Sequence, residues 1–168
     1  MKILMIVTAL TVGFATAASA QTKDFPVITT EDLNFREVTL PQDFPGEMTV
    51  VLIAYKRNQQ LEINDWIFEL ELEKEGAPAW VELPVVSSAA RAIKSVVDNG
   101  MRSGITSDEM RAKTITVYGR RAINEAIGVS GTSDVQVLVV ERDGTILAQA
   151  SGKVDEAKAD IIRDALGG

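Results

Sequence analysis

The residues best suited to recognition chemistry cluster between Arg91 and Arg121. Arg91, Lys94, Arg102, Arg111, Lys113, Arg120 and Arg121 face only Asp98, Asp108 and Glu109 there, a local reversal of sign in a chain whose formal net charge is −7. Guanidinium forks bind carboxylates and phosphates in a planar, bidentate manner. Arg91, Arg102, Arg111, Lys113 and Arg120 are therefore the candidate binding residues, for an anionic group or an acidic partner surface. The plainer alternative is a solvated face neutralised by neighbouring carboxylates.

What is missing narrows the chemistry further. The 168 residues include no cysteine and no histidine. Thiol redox and thiol peroxidase chemistry need a thiolate, and imidazole general-base catalysis needs histidine. The usual ligands for zinc, copper and haem are absent with them. No catalytic residue, cofactor or metal site is expected, and the chain reads as a non-enzyme. Glu62, Glu69, Glu71, Glu73 and Glu75 make one stretch acidic. Their spacing scatters them around a helix, whereas a Ca²⁺ site needs converging oxygens.

The first residues read as an export signal: Lys2, an apolar run from Ile3 to about Ala18, then Ala18-Ser19-Ala20. Small residues there match a signal-peptidase site, with cleavage expected after Ala20. Removal of residues 1–20 leaves 148 residues, enough for one domain with a real core. The expected location is the periplasm, with no stable membrane insertion after cleavage. Acidity argues against nucleic acid as a partner.

The elements that must position these side chains follow from periodicity. Residues 21–47, broken by Pro26, Pro41 and Pro45, read as an N-terminal extension or hairpin, with a short strand over Phe35–Leu40. Thr49–Tyr55 is apolar throughout, the pattern of a central strand covered on both faces. Ile63, Trp66, Ile67 and Leu70 form a helical stripe within a helix predicted from Gln59 to Glu75. Trp80–Val86 is a second buried strand. A helix from Ser88 to about Gly100, capped by Ser87, is predicted to bury Ile93, Val96, Val97 and Met101. Thr106 opens a capping-box pattern with Glu109. Thr114–Tyr118 is a third strand and Arg120–Ile127 a brief helix. Arg142-Asp143-Gly144 joins two apolar runs as a hairpin. A last helix, Val154 to Leu166, is expected to turn Ile161, Ile162, Ala165 and Leu166 inward.

Alternating strands and helices followed by a hairpin predict an α/β fold with a mixed central sheet flanked by helices on both faces. That order resembles the thioredoxin-like superfamily, its peroxiredoxin-type branch in particular. Leu40–Ile53 is similar to that family's lead into its first core strand, and Val137–Ala150 to its hairpin. The resemblance implies a thioredoxin-like domain over residues 48–168. It also implies a reactive cysteine just after the first core strand, where this chain has Tyr55, Arg57, Gln59 and Gln60. The resemblance therefore points to a redox-inactive relative with a vestigial active site. A narrower one lies in residues 100–115, where Met101, Arg102, Gly104, Ile105 and Arg111 resemble the Met-Arg-x-Gly-Ile segment of the mitochondrial F-type ATP synthase assembly factor family. Together these imply a module that binds a protein partner or assists assembly. The alternatives are a small-ligand or sensor domain using the vestigial pocket, or a divergent enzyme without thiol chemistry.

Overall fold

Val50, Leu52 and Ala54 alternate with Val51 and Ile53, and all five are buried. A strand apolar on both faces must lie between two layers. In the computed structural model, which describes residues 23–167, this strand is the middle of a five-stranded sheet. The expected leader and its cleavage point lie outside the described residues.

The chain begins with a two-stranded antiparallel hairpin, β1 (Ile28–Glu31) and β2 (Glu37–Leu40). The central strand is β3 (Met48–Ala54). It pairs in parallel with β4 (Trp80–Val86) and antiparallel with β6 (Gln136–Glu141), so that Val50 lies between Trp80 and Val139. The short β5 (Val117–Tyr118) extends the β4 edge in parallel, and β7 (Ile146–Ser151) closes the other edge against β6. The sheet order is β5-β4-β3-β6-β7. At the Asp143-Gly144 turn, Gly144 adopts φ 104°, a region a side chain would strain.

Helices cover both faces, as the pattern of elements predicts. One face carries α1 (Gln60–Glu69) and α5 (Glu156–Ala165), which bury Ile63, Trp66, Ile67, Ala159 and Ile162 against Val50, Leu52 and Trp80. The other carries α4 (Arg121–Ile127), whose Ile123 and Ile127 pack with Phe25, Leu40 and Phe44 on Val51 and Ile53. Each such buried aliphatic side chain contributes about 1.5–3 kcal/mol. The crossover from β4 to β5 holds a 3-10 turn over Ser88–Ile93, then α2 (Lys94–Gly104) and α3 (Asp108–Lys113).

Several boundaries differ from the sequence reading. Helix α1 stops at Glu69, because Glu71 turns left-handed (φ 55°) and Leu72 folds back into the core beside Trp80. The β5 ladder shrinks to two residues: Thr114 and Ile115 meet β4 only at Glu82, and Ile115 also bridges to Asp32 at the end of the hairpin. Ser107, not Thr106, caps α3, accepting from the Met110 amide. In α5, Ala159 and Ile162 point inward while Ile161 is half exposed.

The largest difference is α2. Ile93 and Val96 are exposed, and Asp98 is the buried residue of the helix. Its carboxylate accepts from the Tyr118 hydroxyl at 2.5 Å and pairs with Lys94 at 2.6 Å. Lys94 also pairs with Glu31 at 2.9 Å. A buried carboxylate held by this network orients the helix. Val96, about 200° around the helix from Asp98 at 3.6 residues per turn, is turned away.

Candidate functional site

At the C-terminal end of β3 the chain passes through a 3-10 turn, Arg57–Gln59, into α1. Gln59 is only 3% exposed. Its Oε1 accepts from the backbone amides of Tyr55 (2.7 Å) and Lys56 (3.0 Å). Its Nε2 donates to the carbonyls of Thr132 (3.2 Å) and Ser133 (2.9 Å). A carboxamide offers acceptor and donors from one planar group, so Gln59 clamps the β3–α1 turn to the α4–β6 loop. Beside it the Tyr55 hydroxyl donates to Asn124 Oδ1 at 2.7 Å, and Asn124 donates to Gly131. Burial pushes the Tyr55 phenol up to about 12, keeping it a neutral donor. Lys56 and Arg57 are exposed.

Among the five candidate basic residues, the structure brings Arg102 and Arg111 together. Arg102 Nη1 donates to the Leu33 carbonyl at 2.7 Å, and its guanidinium lies 4.8 Å from the Phe35 ring. Arg111 closes the α2–α3 turn, donating to the carbonyls of Ile105 (2.6 Å) and Arg102 (3.3 Å) and to Asp108. Arg91 donates to the Tyr118 carbonyl at 2.9 Å. Lys113 pairs with Glu109 and stands 5.1 Å from the Trp80 ring. Arg120 is exposed at the start of α4. In the acidic stretch, Glu69 pairs with Arg163 and Glu71 with Lys74. Among the described residues no group of three or more acids is placed to hold a metal ion.

The concave feature lies elsewhere. A groove of about 1740 Å³ starts at Tyr55 and runs along α1 to Leu70, with α2 and α3 as its far wall. Ile67 and Phe68 line one side, and Val97, Met101, Ile105 and Met110 the other. The floor is Pro84 and Glu82 of β4. Glu82 is 7% exposed; Gln60 Nε2 donates to its Oε2 at 3.3 Å. Burial pushes the Glu82 carboxyl up, and the Gln60 hydrogen bond pulls it partly back.

No family model matches the sequence, and no curated protein matches it. Solved structures do match. BsSco, of the Sco family of cytochrome c oxidase assembly proteins, superposes with a TM-score of 0.60 at 11% identity, over 88% of this chain and 94% of that one. The pneumococcal exposed lipoprotein thioredoxin Etrx1 from Streptococcus pneumoniae gives 0.54 at 14%, over 84% and 98%. A thiol:disulfide interchange protein from a Bacteroides species gives 0.51 at 16%, over 88% of each chain. The fold is thioredoxin-like. In this thioredoxin-like chain the turn after the central strand presents Gln59 and no sulfur.

Of the vestigial-site residues read from the sequence, Tyr55, Arg57 and Gln60 line this groove; its α2–α3 wall and Glu82 were not read from the sequence. The available signal was a carboxylate inside the otherwise apolar run Trp80–Val86. Alternation puts it on the face of Trp80, beneath α1, where an unpaired acid is costly.

Proposed function

We propose that this thioredoxin-like chain is an exported, redox-inactive, non-enzymatic module that binds a protein partner in the groove between α1 and α2 and assists assembly of an envelope complex. The groove carries the reading. Its 1740 Å³ exceeds the ~300–1,000 Å³ usual for small-molecule pockets. Its rim residues Phe68 and Val96 are 84% and 68% exposed, which suits contact with another protein surface. The absence of cysteine supports the redox-inactive part, since exchange needs a thiolate. The Lys2–Ala20 leader supports export to the periplasm. The likeness of residues 100–115 to an assembly-factor segment, and of the fold to BsSco, supports the assembly role.

The test is affinity capture from envelope extract with the mature chain, beside a Phe68→Asp/Val96→Asp variant whose changes fall on exposed positions. A partner retained by wild type and lost by the variant is expected. Equal recovery by both removes the groove from consideration. Tyr55 at the groove mouth and Glu82 on its floor favour one second reading, a small-ligand sensor. That reading requires saturable binding of a small molecule with a thermal shift abolished by Glu82→Gln.

A further inference from the structure

Helix α2 contains Gly100 and Gly104, both lining the groove. Glycine in a helix costs about 1 kcal/mol relative to alanine. A Cβ built at either position meets nothing within 4 Å, and neither glycine has a positive φ. Nothing inside the chain requires glycine at these two places. With Val97 and Met101 they form a stripe at helical spacing, centred about 110° around α2 from Asp98. Such a stripe admits a second backbone at close range. The opposite wall, Ile67 and Phe68 of α1, is also helical.

Size and charge agree with this. A helix is about 10 Å across, so a stretch ~20 Å long occupies on the order of 1,600 Å³, close to the groove's 1740 Å³. On the floor Glu82 has Gln60 as its side-chain partner. Four cations line the groove: Lys74 is paired with Glu71 and Arg163 with Glu69, while Lys56 and Arg57 stand exposed at its mouth, so Glu82 has no cation as its partner among the described residues. Asp65, Glu69, Glu71 and Glu73 also line the groove, but Glu82 is its one buried carboxylate, and the groove is complementary to an amphipathic element that sets a cation at that point.

Resting on the groove reading above, we propose that the partner's docking element is a single amphipathic α-helix that packs between α1 and α2 on Gly100 and Gly104 and sets a lysine or arginine against Glu82.

The probe is a phage-displayed random peptide library of about 16 residues, long enough to span the groove as helix, selected on the mature chain. Enriched sequences are expected to repeat apolar residues at i, i+3, i+4 and i+7 with one Lys or Arg on the same face. Synthetic copies should bind Glu82→Gln roughly tenfold or more weakly, and a Lys→norleucine copy should not distinguish the two proteins. Gly100→Leu/Gly104→Leu, which has space for its side chains, should abolish binding while keeping the wild-type thermal midpoint or better. Enriched peptides without helical periodicity, or binding unchanged in the glycine variant, overturn the proposal. Self-association of the chain blocked by the same glycine variant also overturns it, by assigning the groove to a second copy. Envelope capture that still depends on Phe68 and Val96 would then leave the broader function standing, so the two failures are separable.

Discussion

Arg102 Nη1 donates to the Leu33 carbonyl oxygen at 2.7 Å, across 69 residues of chain. Leu33 is buried, and its amide in turn donates to the carbonyls of Arg111 and Thr114. The most basic segment of the protein is thus bolted to the N-terminal hairpin. Arg102→Ala should lose about 1–3 kcal/mol, through an orphaned carbonyl and the lost contact with Phe35. Denaturant unfolding measures the loss. Hydrogen exchange should show residues 94–113 opening first.

Gln59 holds four backbone groups at once. Gln59→Ala should cost roughly 2–4 kcal/mol, because several of those groups are left unsatisfied. Gln59→Glu isolates the donor half of the clamp. A carboxylate would face the Thr132 and Ser133 carbonyls, so the folded state would hold the acid's proton more tightly than the unfolded chain. Its stability deficit should therefore be small at low pH and grow as pH climbs past about 4.3. A deficit independent of pH would contradict this account.

The chain has two tyrosines, and both phenols are shifted upward. Burial raises Tyr55 to about 12; burial and then Asp98 raise Tyr118. The folded protein holds these protons above the ordinary value of 10.0, so stability falls as pH rises through and beyond 10. Phenolate absorbance should stay flat near pH 10 and appear together with loss of helical circular dichroism. A simple titration at pH 10 in the folded protein would refute it.

Tyr118→Phe removes one oxygen from the hydroxyl–Asp98–Lys94 network and leaves Asp98 buried with Lys94 alone. The expected cost is about 1.5–3 kcal/mol, typical of a hydrogen bond to a charged group. Urea midpoints at neutral pH would measure it, and a change below 0.5 kcal/mol would show that the network does not orient α2.

Glu82 is raised above the ordinary carboxylate value by burial. Folded protein therefore binds the proton more tightly, and stability drops as pH rises through the folded value. Glu82→Gln should gain stability relative to wild type on going from pH 4 to pH 7, read as diverging thermal midpoints.

Local order was legible in the residues themselves. The apolar run of β3, the Ile63–Trp66–Ile67–Leu70 stripe and the Asp143-Gly144 turn each declare period and reversal within a few positions. Together they set the order of strands and helices, and with it a mixed sheet covered on both faces. The absence of cysteine was legible with no structure needed. Which face of α2 turns inward was decided only by tertiary contact. Val96 and Met101 suggest one answer locally, while Asp98 finds Tyr118 twenty residues away and Glu31 is brought in through Lys94. The same holds for Arg102, Arg111 and Gln59, whose partners are backbone carbonyls and amides, groups every residue carries and no side-chain pattern marks. The far wall of the groove follows from that rotation of α2, whereas Glu82 reaches the floor by the alternation of β4, because a buried charge such as Asp98 must meet its partners wherever the rest of the fold places them.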